Sequence, residues 1–405
     1  MSLLCSDAAL DTAHEDFLDF VIRDKEDFHP FEALYIHVPF CKARCSYCSF
    51  YTRAVRFDDA AIDRYVEELI VALRRLSKAG LLAHIKTIYF GGGTPSFLGS
   101  RYLTSILYAL SVSMSFDTLE EISLECNPES VSRSFVKDLW ALGVNRLSFG
   151  VQSFQDEKLK LLGRSHSAEE ARQALDWAFE RFSNVSLDLM AGLPCQTLEN
   201  FEDDIKAALG FPLTHVSIYP LSLDEGTRLK RAYDEGLYPS QDEDLQVDML
   251  EYAHAYLTAE GFEHYEIANF AHKRHRSKHN TVYWQGVSYL GLGSGAISMR
   301  QNSQVRERFN YQGELEERLG AHERLIEDML LSLRLKEGLS FERIKLAYSQ
   351  MGEHLGNALE RCLQDFLERG LVVNDEQLKA FVPTQRGWLQ ANYMFGNILG
   401  LEDFL

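Results

Sequence analysis

The chain has 405 residues, 46% hydrophobic and 25% charged, the make-up of a soluble globular protein with a sizeable core. Its 60 acidic and 41 basic side chains leave a formal charge of −19, which argues against a nucleic-acid partner, because phosphate binding needs basic surface. Apolar runs fall short of the ~20 residues that span a bilayer, and seven cysteines are too few and too odd in number for a disulfide framework.

Residues 1–31 are acidic and mixed, lack the pattern of an export leader, and read as an N-terminal extension of a cytoplasmic protein. From Leu34 short apolar runs alternate with longer amphipathic stretches. Strands are expected at Leu34–Val38, Ile85–Phe90, Glu121–Glu125, Arg146–Val151, Val185–Leu189 and His215–Tyr219. The clearest helix starts at the capping pair Asp58-Asp59 and carries Ile62, Val66, Leu69, Leu73 and Leu76 on one face. Ser134–Leu142 and Asp204–Leu209 read similarly. Six strand–helix units in a row predict a parallel sheet with right-handed crossovers, curved into an incomplete (β/α)6 barrel over residues 32–225. Polar and glycine residues gather at the C-terminal strand ends: Gly91–Pro95, Glu125, Gln152, Asp188 and Tyr219-Pro220. In parallel barrels chemistry sits on that rim.

After Pro220 the period changes. Residues 226–305 read as a linking region with a helix over Asp242–Ala259 and a strand-like Tyr265-Glu266-Ile267. A basic, histidine-rich loop, Ala271–Asn280, and a glycine-rich apolar run, Tyr289–Ser298, follow. Residues 306–405 read as two or three helices with a hairpin at Leu371–Val382, a small α+β winged-helix-like domain. Such folds often bind DNA, but residues 305–405 carry 12 basic and 17 acidic side chains, which favours a packing or protein-partner role.

The stretch Cys41-Lys42-Ala43-Arg44-Cys45-Ser46-Tyr47-Cys48 follows the first strand directly. Its spacing suits an iron–sulfur cube with three cysteine-ligated irons and one open iron. Zinc, with His37 or a distant histidine as fourth ligand, competes for the same residues, although no second ligand pair stands nearby. Cys5, Cys126, Cys195 and Cys362 stand alone and read as packed or incidental thiols. Gly91-Gly92-Gly93 would let backbone groups approach a ligand, or would simply make a tight turn. Glu125 and Asp188 could take an ammonium or ribose hydroxyls, and the planar fork of Arg164 a carboxylate. His272, His275 and His279-Asn280-Thr281-Val282-Tyr283-Trp284 form, with Lys273, Arg274, Arg276 and Lys278, the most basic island of the chain. It could attract carboxylates, ligate a haem iron and stack aromatic rings on a macrocycle. A solvated loop with an aromatic anchor accounts for the same residues.

Tyr35-Ile36-His37-Val38-Pro39-Phe40-Cys41 with Cys45 and Cys48 resembles the radical S-adenosylmethionine (SAM) superfamily. Gly91–Pro95, Glu125–Pro128, Gly150–Phe154, Gly163-Arg164, Asp188–Pro194 and Gly291–Ser298 follow the order of its coproporphyrinogen-oxidase-like branch. Within that branch the His279–Trp284 motif is similar to that of the HemW haem chaperone family. The true oxidases resemble C-x3-C-x2-C-x-C; here Phe50 stands at the fourth cysteine, and residues 1–31 do not look like the oxidases' N-terminal arm. The resemblance implies a [4Fe–4S] cluster on Cys41, Cys45 and Cys48, its open iron chelated by the amino and carboxylate groups of SAM. Tyr35, Tyr47, Gly92, Gly93, Thr94, Glu125, Gln152, Arg164, Asp188, Pro220 and Ile297 would line that cofactor, and His279 would bind haem. No catalytic residue is implied. The expected function is a cytoplasmic haem chaperone serving respiratory haem proteins, with an electron donor for the cluster. A transient membrane-protein contact and a homodimer are both compatible with that role. The alternative is oxygen-independent coproporphyrinogen III oxidation, or another radical reaction on a tetrapyrrole.

Overall fold

The apolar runs of the first half become six neighbouring parallel strands in a computed structural model that describes residues 16–57 and 59–401. They are β1 (Ala33–Val38), then, after the short pair β2 (Phe40–Cys41) and β3 (Arg53–Ala54), β4 (Thr87–Gly92), β5 (Glu121–Cys126), β6 (Arg146–Gln152), β7 (Val185–Ala191) and β8 (His215–Pro220). The six long strands lie side by side in chain order. Such strands are covered on both faces, which is why they read as apolar runs. The second strand starts at Thr87 rather than Ile85, because the Lys86 N–H is taken by the Glu32 carbonyl before the ladder begins.

Helices at Ala60–Lys78, Gly99–Ser113, Arg133–Ala141, Ala168–Phe179 and Leu198–Leu209 connect the strands. The first is capped by the Asp59 side chain, which accepts from the Ala61 N–H; Asp58 lies outside the described residues. Ile62, Val66, Leu69, Leu73 and Leu76 are all buried, as their spacing requires. Ser167 with Glu170, and Thr197 with Asn200, form capping boxes at two further helix starts.

The sheet does not end with β8. Beside β8 lie β10 (Asn269–Ala271) and then β9 (Glu263–Glu266), both antiparallel. At the other edge β11 (Tyr289–Leu292) joins β1 in parallel. Beyond it β12 (Ile297–Gln301), β13 (Arg306–Asn310) and β14 (Leu315–Leu319) follow as an antiparallel meander, giving twelve strands. The glycine-rich run Tyr289–Ser298 is therefore a pair of strands. The boundary expected between residues 305 and 306 falls inside the β12–β13 hairpin.

A second apolar core gathers from Leu325 to Leu401. It is built on Ala321–Ser332, Phe341–Glu368 (broken at Gly352, φ 80°) and Ala391–Leu399. A three-stranded antiparallel sheet of β15 (Leu339–Ser340), β17 (Ala380–Pro383) and β16 (Val372–Asp375) covers it. The Leu371–Val382 hairpin appears as β16–β17. Among the described residues no helix is long and apolar enough to cross a membrane.

Candidate cofactor site and histidine floor

The cysteine loop lies over the C-terminal ends of the parallel strands and is pinned on two sides. The Ser46 N–H donates to the Leu162 carbonyl and the Leu229 N–H to the Ser46 carbonyl, both at 2.8 Å, while the Arg228 guanidinium donates to the Arg44 carbonyl. Ser49 donates to Asp224 at 2.5 Å, a bond that a carboxylate at position 49 would turn into repulsion. Under the loop is a cavity of about 370 Å³. Cys41, Cys45 and Cys48 face it together with Tyr47, Gly92, Gly93, Thr94, Glu125, Gln152, Arg164, Asp188 and Pro220. Twelve of the expected site residues thus meet in one place. Tyr35 and Ile297 stand outside its lining: Tyr35 sits deeper, its hydroxyl 3.2 Å from His37 Nδ1, and Ile297 begins β12.

Local chemistry explains several of these positions. Gly92 has φ 104°, and a Cβ there would lie 2.6 Å from the His37 ring; a Cβ on Gly93 would lie 2.7 Å from the Phe40 carbonyl and 3.0 Å from Cys41 Sγ. The glycines clear space for the protein's own histidine and cysteine as much as for a ligand. Gln152 (φ 70°) follows an irregularity of register in β6, and the loop beyond it is held by Asp204, which accepts from Ser153 Oγ and the Phe154 N–H, both at 2.7 Å. Burial raises Glu125 to about 7, although Tyr89 donates to it at 2.8 Å, and raises Asp188 to about 6. Burial outweighs Arg146, which pulls both carboxyl groups down, so the two face a shared cavity with their charge poorly compensated. The two terminal nitrogens of Arg164 are engaged by Cys45 Sγ (3.5 Å), Asn127 Oδ1 (2.8 Å) and the Gly150 carbonyl (2.5 Å), leaving its buried Nε without a partner.

His279 lies at the opposite end of the barrel. The expected loop Ala271–Asn280 ends in a helix, Lys278–Trp284, started by Ser277 and plugging the N-terminal ends of β4 and β5. Glu121, the first residue of β5, accepts from the Lys278 and His279 N–H groups. Both imidazole nitrogens are occupied: Thr87 Oγ1 lies 2.9 Å from Nδ1 and Tyr283 OH 2.8 Å from Nε2. The ring is fully buried and held at about 3 by that burial and by nearby Arg146, so it stays neutral. Arg276 and Lys278 of the basic island are paired with Glu263, Glu337 and Glu120. Glu125 stands four steps along β5 from Glu121, about 13 Å up the strand. Tyr89 bridges that gap, its ring stacked at 5.1 Å on His279 and its hydroxyl on Glu125. Trp284 is covered from the C-terminal domain by Arg334, 4.0 Å above its ring.

The Radical SAM superfamily profile matches residues 35–208. The haem chaperone HemW of Bacillus subtilis (strain 168) is 33% identical over 384 residues, 91% of this chain and 99% of that protein. The HemW of Lactococcus lactis is 31% identical over 91% of this chain and 97% of its own length. This chain belongs to the HemW family of radical SAM proteins. The solved structure of the Escherichia coli coproporphyrinogen III oxidase HemN shares the fold, with a TM-score of 0.76 at 23% identity over 97% of this chain and 93% of that one.

Membership of the radical SAM superfamily implies a [4Fe–4S] cluster and SAM, and the rim residues fit both. Among the described residues no three histidine, cysteine or carboxylate side chains converge on a single metal ion. Two of the loop cysteines that line the cavity are met by donors, Thr94 Oγ1 to Cys41 Sγ at 3.4 Å and Arg164 to Cys45 Sγ at 3.5 Å. Burial pushes the Cys41 thiol up to about 11, so iron binding would displace its proton. The buried carboxyl groups of Glu125 and Asp188, both on the cavity wall, suit the ammonium and ribose of SAM. Sequence reasoning missed Tyr89 and Asn127. Asn127 was visible within Glu125-Cys126-Asn127-Pro128, but nothing in its spacing says what its amide touches.

Proposed function

We propose that this HemW-family chain is a haem chaperone of the cytoplasm, taking up haem and passing it to respiratory haem proteins. The observation that carries this reading is Tyr89, a single side chain that touches both the rim carboxylate Glu125 and the floor histidine His279. It supports a molecule in which the state of the rim is felt at the floor. In this reading Cys41, Cys45 and Cys48 hold three irons, Glu125 and Asp188 take the SAM ammonium and ribose, and Tyr47, Gly92, Gly93, Thr94, Gln152, Arg164 and Pro220 enclose it. When bound, the cluster and SAM supply one-electron chemistry; the barrel orients them and excludes water. A low-potential electron donor, a transient membrane-protein contact during delivery and a homodimer are compatible with this role.

His279 would be the iron ligand, and it is closed off in this conformation. Binding requires Tyr283 to leave Nε2 and the 278–284 helix to turn outward, which Arg334 on Trp284 resists. Haem uptake is therefore gated. The test is anaerobic haem titration of the wild type and His279→Ala: one haem per chain, lost in the variant, supports the reading, and equal binding by both removes His279 from it. A second reading, oxidation of coproporphyrinogen III, has the HemN-like fold in its favour. Phe50 counts against it, and decarboxylation of that substrate by the same preparation would establish it.

A further inference from the structure

Asn127 is not among the residues expected from the sequence to line the cofactor, yet it borders the same cavity, and its side chain is the hub between two groups that donate to the cluster cysteines. It stands directly after β5, at the turn Pro128–Ser130, and its backbone is fixed from both sides. Its N–H donates to Ser96 Oγ at 3.1 Å, and its carbonyl accepts from Ser130 Oγ at 2.8 Å. The side chain then reaches Arg164 and Thr94. Arg164 Nη2 donates to Asn127 Oδ1 at 2.8 Å, Asn127 Nδ2 donates to Thr94 Oγ1 at 3.0 Å, and its contact with Glu129 is longer, at 3.5 Å.

The polarity of this chain is forced. A guanidinium can only donate, so the amide oxygen must face Arg164 and the amide nitrogen must face Thr94. Thr94 Oγ1 is then an acceptor from Asn127, and its single proton is directed to Cys41 Sγ, 3.4 Å away. The same contact orients Arg164, whose other terminal nitrogen donates to Cys45 Sγ at 3.5 Å. Two sulfurs of the loop receive directed donors; one amide touches both donors, with the Gly150 carbonyl sharing the hold on Arg164.

We infer that Asn127 is a positioning residue that tunes the reduction potential of the cluster, by fixing the Thr94 and Arg164 donors on Cys41 and Cys45. This rests on those cysteines holding the [4Fe–4S] group. One-electron reduction adds negative charge to the cluster, and hydrogen bonds to its sulfurs favour the reduced form. Removing the amide leaves the Thr94 proton free to turn away and leaves Arg164 Nη2 with the Gly150 carbonyl as its one remaining hydrogen-bond partner, so the larger part of the effect runs through Thr94.

The test is an anaerobic, dye-mediated titration with dithionite as the electron donor, followed by electron paramagnetic resonance, on reconstituted wild type, Asn127→Ala, Asn127→Ser, Thr94→Val and Asn127→Ala/Thr94→Val. Iron and sulfide are counted first. The midpoint should move to more negative values in Asn127→Ala and Thr94→Val. The additional shift from Asn127→Ala should be smaller once Thr94 is already Val, because part of its effect runs through that hydroxyl. Asn127→Ser keeps the site polar and its midpoint should fall between those of wild type and Asn127→Ala; should Ala disturb cluster assembly, Ser carries the test with a midpoint more negative than wild type. Fully loaded Asn127 variants with the wild-type midpoint would overturn the inference, as would strict additivity in the double variant. A wild type that assembles no four-iron cluster would instead remove the cluster reading, and this inference with it.

Discussion

Glu125→Gln isolates the cost of keeping a carboxylate inside the barrel. Burial moves Glu125 from an ordinary 4.5 to about 7, with Asp188 nearby adding to the rise. A carboxyl group whose folded value is raised costs nothing while it is protonated in both states. Its cost develops as pH climbs through 4.5 and is complete above 7. At about 1.4 kcal/mol per unit, the full penalty is about 3 kcal/mol. Glutamine retains an oxygen for the Tyr89 hydroxyl and escapes the charge. In the cluster-free chain, urea unfolding at several pH values should therefore show Glu125→Gln more stable than wild type by about 1 kcal/mol at pH 5 and about 3 kcal/mol at pH 8. The same change should weaken SAM binding in the loaded protein, because the cation loses a carboxylate. A stability difference that does not vary with pH would refute the reasoning.

Tyr89→Phe removes the hydrogen bond that lowers Glu125, so the pH above which SAM binds fully should move upward from about 7 in an anaerobic binding titration. Arg334→Ala uncovers Trp284 and should raise the stopped-flow rate of haem uptake without changing the iron content of the cluster. Asp59→Ala removes a helix cap and should cost about 1 kcal/mol in urea unfolding while leaving SAM binding unchanged.

The six central strands were legible because each carries a core of large apolar residues, as Leu34, Ile36 and Val38 or Val185, Leu187 and Leu189 do, with the intervening residues turned to the other face of the sheet. The rim was legible because charged and glycine residues gather where the parallel strands end, and twelve of the expected residues do line one cavity. The edges were not. The Tyr289–Ser298 run holds three glycines, which hide a strand pair whose glycines exist for close packing: a Cβ on Gly291 would lie 2.4 Å from the Ile297 carbonyl. The basic island drew attention to exposed charge, while the decisive fact about His279 is burial. That depends on Glu121, 158 residues earlier in the chain, meeting its backbone N–H. Hydrogen-bond partners brought together from such separations leave no periodic trace.

The central claim is a cluster with one iron left open for SAM, and Mössbauer and electron paramagnetic resonance spectra of anaerobically reconstituted protein test it most directly. The account predicts four irons and four sulfides per chain, lost when Cys41, Cys45 or Cys48 becomes Ala, with spectra that change on adding SAM as one iron alters its coordination. A zinc ion at the loop, or a cluster whose spectra ignore SAM, would contradict it.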